Sequence, residues 1–240
     1  MGACHNQPLI DGDHRKPGVY VLTAKGATLL ATWLDCSETT YTAAVTNGKR
    51  LTSSVVAHLL LSNDVRLAIM QAVARSNNTV QLTTWLDEHT LRQAHSKDTI
   101  PLETATGSHE QPVPVPDGYF VLHTTQPEAH DYHHFLEVDR STEVGQSSSA
   151  TTRDWAGKIQ RFQAYYLSGA YQKRYGAQGL RILTVTISEI RLRQLKQITE
   201  HIGKTRYWFT TIERILRAGD LLSAPIWQVA TKDDSFPLLW

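Results

Sequence analysis

Apolar residues recur every three to four positions over residues 53–75 (SSVVAHLLLSNDVRLAIMQAVAR), with Val56, Leu59, Leu60, Leu67 and Met70 on the stripe. That spacing predicts a long helix with Ser53 as its N-cap. The pattern then changes to alternation. Residues 80–86 (VQLTTWL), 119–124 and 133–139 (HHFLEVD) read as three strands. Between the first two, residues 98–115 contain Pro101, Gly107, Pro112 and Pro114 and read as a loop. Thr151 with Asp154 has the form of a capping box and predicts a helix from about Trp155 to Tyr171, burying Ile159, Phe162 and Tyr166. The β-branched run RILTVTI (181–187) predicts a central strand. Ser188 then caps a helix through His201, with Ile190, Leu195, Ile198 and Ile202 inward. YWFTT (207–211) reads as a strand, 212–217 as helical, and APIWQV (224–229) as an edge strand. One helix, three strands in a meander, a crossover helix and a further strand make a mixed α/β sheet flanked by helices.

The N-terminal quarter differs. Residues 1–17 are polar and rich in Asp, Gly, His and Pro, and are expected to be a disordered tail. VYVLTAKGATLLATWL (19–34) reads as a strand, a turn and a helix capped by Thr23, with Leu29, Leu30 and Trp33 on one stripe. It resembles the last wing strand and closing helix of a winged helix-turn-helix domain. Residues 18–50 are therefore expected to be a partial winged-helix remnant, and residues 51–240 the α/β core.

Composition narrows the class. The chain has 240 residues, 41% of them apolar and 20% charged, which suits a globular fold. No apolar run approaches the roughly 18 residues that span a bilayer, and MGACHNQPLIDGDHRKPG lacks the apolar stretch of a signal peptide. Two cysteines, Cys4 and Cys36, make neither a disulfide framework nor a zinc site. A cytoplasmic protein without a membrane partner is expected. Net charge is +1, but unevenly spread: residues 1–157 hold 11 Lys and Arg against 17 Asp and Glu, residues 158–217 hold 12 against 3. A basic segment of sixty residues suggests either a surface that meets a polyanion such as DNA or a set of solvated helix faces. Within it Arg161, Tyr165, Lys173, Arg174, Arg191 and Arg193 are candidate DNA contacts, because cations interleaved with aromatics neutralise phosphates and stack bases.

The candidate chemistry is acidic. Residues of like parity share a face of a strand, so Phe135, Glu137 and Asp139 point one way. Hairpin pairing can bring Asp117 beside Glu137 or Asp139. Carboxylates that close repel one another unless a hard divalent cation, Mg²⁺ or Mn²⁺, binds between them. Such a metal polarises a phosphate and acidifies a bound water. Lys158, early in the helix that follows, is the cation placed to steady developing charge. The alternatives are a turn opened by Asp117 and Gly118, and salt bridges from Glu137 and Asp139 to Arg140, Arg153 or Arg181. HDYHH (130–134) could serve a transition metal or be simple loop histidines; His133 and His134 alternate faces and do not readily share one site.

HLLLSNDVRLAI, WLDEHTLR, PDGYFVL, FLEVDRSTE, KIQRFQAYY and RILTVT, in that order between about Leu51 and Trp227, resemble the replication-relaxation family of plasmid and mobile-element proteins. The resemblance implies a core like that of the PD-(D/E)XK nucleases, preceded by a winged helix. Pro116-Asp117 and Glu137-x-Asp139 match the two acidic motifs, twenty residues apart. Asp139 stands where the pattern has Lys, and Lys158 is the substitute from the following helix. By that carry-over Asp117, Glu137 and Asp139 bind Mg or Mn, Lys158 orients the nucleophile or phosphate, and Glu88 is an accessory acid. The implied function is DNA cleavage or nicking, or, with a degenerate site, non-catalytic DNA binding in replication. A homodimer, or a partner protein of the same mobile element, is the protein partner to expect.

Overall fold

The computed structural model describes residues 4–7, 19–22, 24–33, 53–95, 98–104, 107–140, 149–202 and 204–239. Internal contacts divide the chain into two units, residues 1–61 and 62–240. In the first, β1 (Cys4–Gln7) pairs antiparallel with β2 (Val19–Leu22), and α1 (Ala24–Trp33) follows. Residues 4–7, expected within a disordered tail, are thus a strand. Cys36 and the cap Thr23 lie outside the described residues.

The second unit is built on a seven-stranded sheet. Helix α2 (Ser53–Ala74), within which the division falls, precedes β3 (Val80–Asp87) and α3 (Glu88–His95). A hairpin of β4 (Thr99–Thr104) and β5 (Gly107–Pro112) leads to β6 (Gly118–Thr124) and β7 (His130–Asp139). Helices α4 (Ser149–Leu167) and α5 (Ala170–Tyr175) cross to β8 (Arg181–Thr186). Helix α6 (Glu189–Glu200), β9 (Tyr207–Thr211), α7 (Ile212–Arg217), β10 (Trp227–Val229) and β11 (Ser235–Phe236) complete the chain. The spatial order is β11-β10-β9-β8-β7-β6-β3. Strands β3, β6 and β7 form an antiparallel meander, β7, β8 and β9 run parallel, and β10 and β11 return antiparallel. The parallel steps need crossovers, which α4–α5 and α6 supply.

Both faces of the central strands are buried, as parallel pairing requires. On one face Phe135, Ile182, Tyr207 and Phe209 join Ile159, Phe162 and Tyr165 of α4 and Leu192 and Leu195 of α6 in the main core. On the other, Trp85 stacks on Phe120 at 5.3 Å and Phe120 on His134 at 4.5 Å, while Arg66 of α2 covers Trp85. The register of β3 against β6 slips between Leu82 and Thr84, a bulge at Thr83 whose hydroxyl donates to the Val121 carbonyl.

Several expected details are corrected. The loop over 98–115 contains the β4–β5 hairpin. In α2 the buried positions include Val56, Leu61, Val65, Ile69 and Ala72, whereas Leu59, Leu67 and Met70 are exposed; the stripe is rotated by about one residue. In α4 the buried tyrosine is Tyr165, with Tyr166 at the margin, and the helix starts at Ser149, ahead of the expected capping box. In α6 Ile190 is exposed and Leu192, Leu195 and Thr199 face inward. Strand β10 is not the edge, because β11 pairs beyond it. Ser188 caps α6 as expected, its Oγ accepting from the Arg191 N–H at 3.2 Å. Among the described residues no helix is long and apolar enough to cross a membrane.

Candidate functional site

Asp117, Glu137 and Asp139 gather at one end of the sheet. Pairing of Gly118 with Leu136 sets Asp117, one residue before β6, across from Glu137. Asp117 is fastened to β7 at both of its polar ends. Its N–H donates to the Leu136 carbonyl at 2.9 Å, and its Oδ2 accepts from the Val138 N–H at 2.7 Å. The turn with Gly118 is therefore not what fixes Asp117. Gly118 has no positive φ, and the strand bonds to β7 hold the acid in place. Glu88 opens α3 immediately after β3, and its carboxylate can come within 4.8 Å of that of Asp117.

The main core delivers the cation. Phe162 of α4 packs against Phe135 of β7, with ring centres 5.7 Å apart. One helical turn earlier on α4 is Lys158; two residues further along the same face of β7 is Glu137. The two meet in an ion pair, with Glu137 buried and Lys158 about a quarter exposed. Burial alone would lower the Lys158 pKa. The charges of Glu137, Asp117 and Glu88 outweigh it and raise the pKa above the ordinary value. Lys158 is thus an ammonium at neutral pH, a donor and not a base.

Asp139 lies two residues beyond Glu137 but takes a different partner. Arg191, at the third position of α6, places Nε and Nη2 on its two oxygens, each at 2.9 Å. Both side chains are largely buried. The sequence offers Arg140, Arg153 and Arg181 as partners for these acids; the structure pairs Glu137 with Lys158 and Asp139 with Arg191, and the Arg153 side chain lies outside the described residues. The Ser188 cap fixes Arg191 in the first turn after β8, and the pairing of β8 with β7 brings that turn to the same end of the sheet as Asp139.

The six proposed DNA contacts are not brought together as one surface. Tyr165 is fully buried in the core and has no face to offer a base. Arg191 is committed to Asp139, and Arg174 to Asp98 through Nε at 2.6 Å. Arg161 is half-buried and donates to the Gly157 carbonyl, while Lys173 and Arg193 are exposed. The surface role expected of Tyr165 and Arg191 is corrected by these placements: the sequence pattern put Tyr165 on the outer face of α4, and packing turned it inward. The histidines separate as expected. His133 Nδ1 meets the Tyr119 hydroxyl at 2.7 Å on one face, and His134 lies buried against Phe120 on the other.

An α/β protein with carboxylates and a lysine converging at the carboxyl end of a parallel strand is the class that this fold and site define. The replication-relaxation family model matches residues 6–180, nearly three quarters of the chain, and the chain belongs to that family. No curated protein and no solved structure matches it.

Proposed function

We propose that the chain acts on DNA as a divalent-metal-dependent endonuclease, in the replication of a plasmid or other mobile element, on a PD-(D/E)XK-type core. The observation that carries this reading is the convergence of Asp117, Glu137 and Lys158 from β6, β7 and α4. Two features support it further: the order helix, three-strand meander, helix, parallel strand, and the family match. In the N-terminal unit, an antiparallel strand pair followed directly by a helix has the order of a wing and its closing helix.

The donor set fits a small hard cation. Two oxygens on one Mg²⁺ lie at most about 4.2 Å apart, given metal–oxygen distances near 2.1 Å. The carboxylates of Asp117 and Glu88 approach that separation, and Glu137 stands beside Asp117. In this reading Asp117 and Glu88 hold the metal with Glu137 at its border, and Asp139 braces Arg191. What a bound Mg²⁺ or Mn²⁺ supplies is a polarised phosphodiester and an acidified water. Lys158, kept charged by its acidic surroundings, donates to a non-bridging phosphate oxygen as negative charge grows there. The strand bonds on Asp117 remove the reorganisation that would otherwise accompany metal binding.

One observation favours a second reading. The Lys158–Glu137 pair already neutralises the most buried acid without any metal, as a purely structural ion pair would. The chain would then bind DNA without cutting it. Supercoiled plasmid incubated with Mg²⁺, Mn²⁺ or chelator separates the two. Metal-dependent nicking that is lost in Asp117→Ala and Lys158→Ala is expected. Absence of nicking with every metal, alongside a retained gel shift, would leave the non-catalytic reading.

A further inference from the structure

A second site lies at the other end of the sheet. The starts of β7, β8 and β9 surround a cavity of about 410 Å³. It lies about 20 Å from Glu137, counting six residues of β7 from Asp131 at about 3.3 Å each. Three cations line it: Arg181, Arg206 and Lys232. Three aromatic side chains line it with them: Tyr132, Tyr166 and Trp208. The arrangement is built. The Arg181 guanidinium lies between two rings, 4.9 Å from Tyr132 and 4.5 Å from Trp208, and donates to the Leu238 carbonyl. The Arg206 guanidinium lies 3.4 Å from the centre of the Tyr166 ring, whose hydroxyl is tied to the Gln178 carbonyl at 2.8 Å.

The polar inventory shows what is missing. Arg206 Nε is buried and has no hydrogen-bond partner among the described residues. Among the described residues neither Arg206 nor Lys232 makes an ion pair, although Lys158, Arg174, Arg191, Lys196, Arg214 and Arg217 all have acidic partners. Among the described residues that line the cavity there is one acid, Asp131, whose Oδ1 contacts His123 Nδ1 at 2.7 Å. Three cations against one acid, in a concave site walled by aromatic rings, call for an anion with a flat apolar part. Guanidinium groups bind phosphate through paired N–H donors, and rings of Tyr and Trp stack on bases.

We propose that this cavity binds a nucleoside 5′-phosphate, with Arg206 and Lys232 on the phosphate and the base against the half-buried Tyr132 ring. The unit can come from two sources, a free nucleotide or the 5′-phosphorylated end of a single DNA strand. The site stands apart from the acidic end and does not depend on its being catalytic.

Calorimetric titration of the full chain tests it with four probes: AMP, inorganic phosphate, a 5′-phosphorylated single-stranded decamer, and the same decamer without its phosphate. The expected result is saturable binding of AMP or of the phosphorylated decamer, weakened about tenfold or more in Arg206→Ala and in Lys232→Ala, as loss of a charge-assisted contact requires. Binding of the phosphorylated decamer without AMP identifies the strand end as the source; binding of AMP identifies the free nucleotide. Arg206→Lys, which keeps the charge, should recover part of the loss, and circular dichroism of each variant checks its fold. Asp117→Asn should bind as the unaltered chain does, so failure of the nuclease reading leaves this result untouched. Three results would overturn the proposal: no saturable binding up to about 5 mM of any probe, phosphate binding as tightly as AMP with no preference for the phosphorylated decamer, or equal binding of the two decamers with no binding of AMP.

Discussion

Asp139→Ala separates a structural brace from a metal ligand. The carboxylate receives two hydrogen bonds of 2.9 Å from Arg191, and the two side chains are 14% and 8% exposed. Removing one partner of a buried ion pair strands the other charge and costs about 3–5 kcal/mol. The residual exposure lets water reach the stranded guanidinium, so about 3 kcal/mol is the expected loss. With a urea m-value of about 2 kcal/mol/M, the unfolding midpoint should fall by about 1.5 M. Arg191→Met should cost a similar amount. The combined Asp139→Leu, Arg191→Met change should cost less than the two singles together, by about 2 kcal/mol or more, because no charge is left unpaired. Urea titrations followed by tryptophan fluorescence and circular dichroism measure all three. A loss below about 1 kcal/mol for Asp139→Ala, or strict additivity in the combined variant, would refute the brace. So would a Mg²⁺-induced rise in the midpoint of the unaltered chain that disappears in Asp139→Asn, since Asp139 would then be a ligand.

Two further outcomes follow from the core. Burial, then the nearby Arg181 and His133 charges, hold His134 neutral well below its ordinary pKa. The unfolded chain takes up a proton near pH 6.5 that the folded chain refuses. Its stabilising effect is therefore full above that pH and lost as the pH falls, by about 1.4 kcal/mol per unit. Urea midpoints between pH 7.5 and 5.5 should fall less steeply in His134→Phe, and equal slopes would count against the assignment. Gly118 has ordinary backbone angles, and a Cβ there meets Leu136 and Trp85 at 3.6 Å, a normal contact. Gly118→Ala should shift thermal stability by less than about 1 kcal/mol, and a loss of several kcal/mol would show that the strand end tolerates no side chain.

The order of elements was readable because each carries its own period: alternation in β6 and β7, β-branching in β8, and a capping serine before α6. The exact stripe of each helix was less so. In α2 apolar residues occur nearly all round, so periodicity alone did not choose Leu61 and Val65 over Leu59 and Leu67. Tyr165 and Tyr166 are adjacent residues of one type, and only the aromatic cluster of Tyr171, Phe135 and Phe162 decides which is buried. The site divided similarly. Asp117 and Glu137 were legible because a hairpin brings strand ends together, and Lys158 because a helix follows β7. The Asp139–Arg191 pair was hidden by 52 intervening residues. It depends on β8 lying beside β7, a long-range fact with no local pattern. The cavity at the opposite end gathers residues from both sides of three strands, and no contiguous motif marks it.

The bulge in β3 has a bearing on how this sheet ends. Among the described residues β3 is an outermost strand, and eight residues of regular edge would offer a template to another chain. The slip at Thr83 interrupts that run of open donors and acceptors and adds twist to it. At the opposite edge β11 contributes only two residues. One margin is broken and the other is brief, so a sheet of seven strands resists the edge-to-edge growth that leads to aggregates. Restoring a straight β3 by deleting Thr83 would remove that protection along with the register.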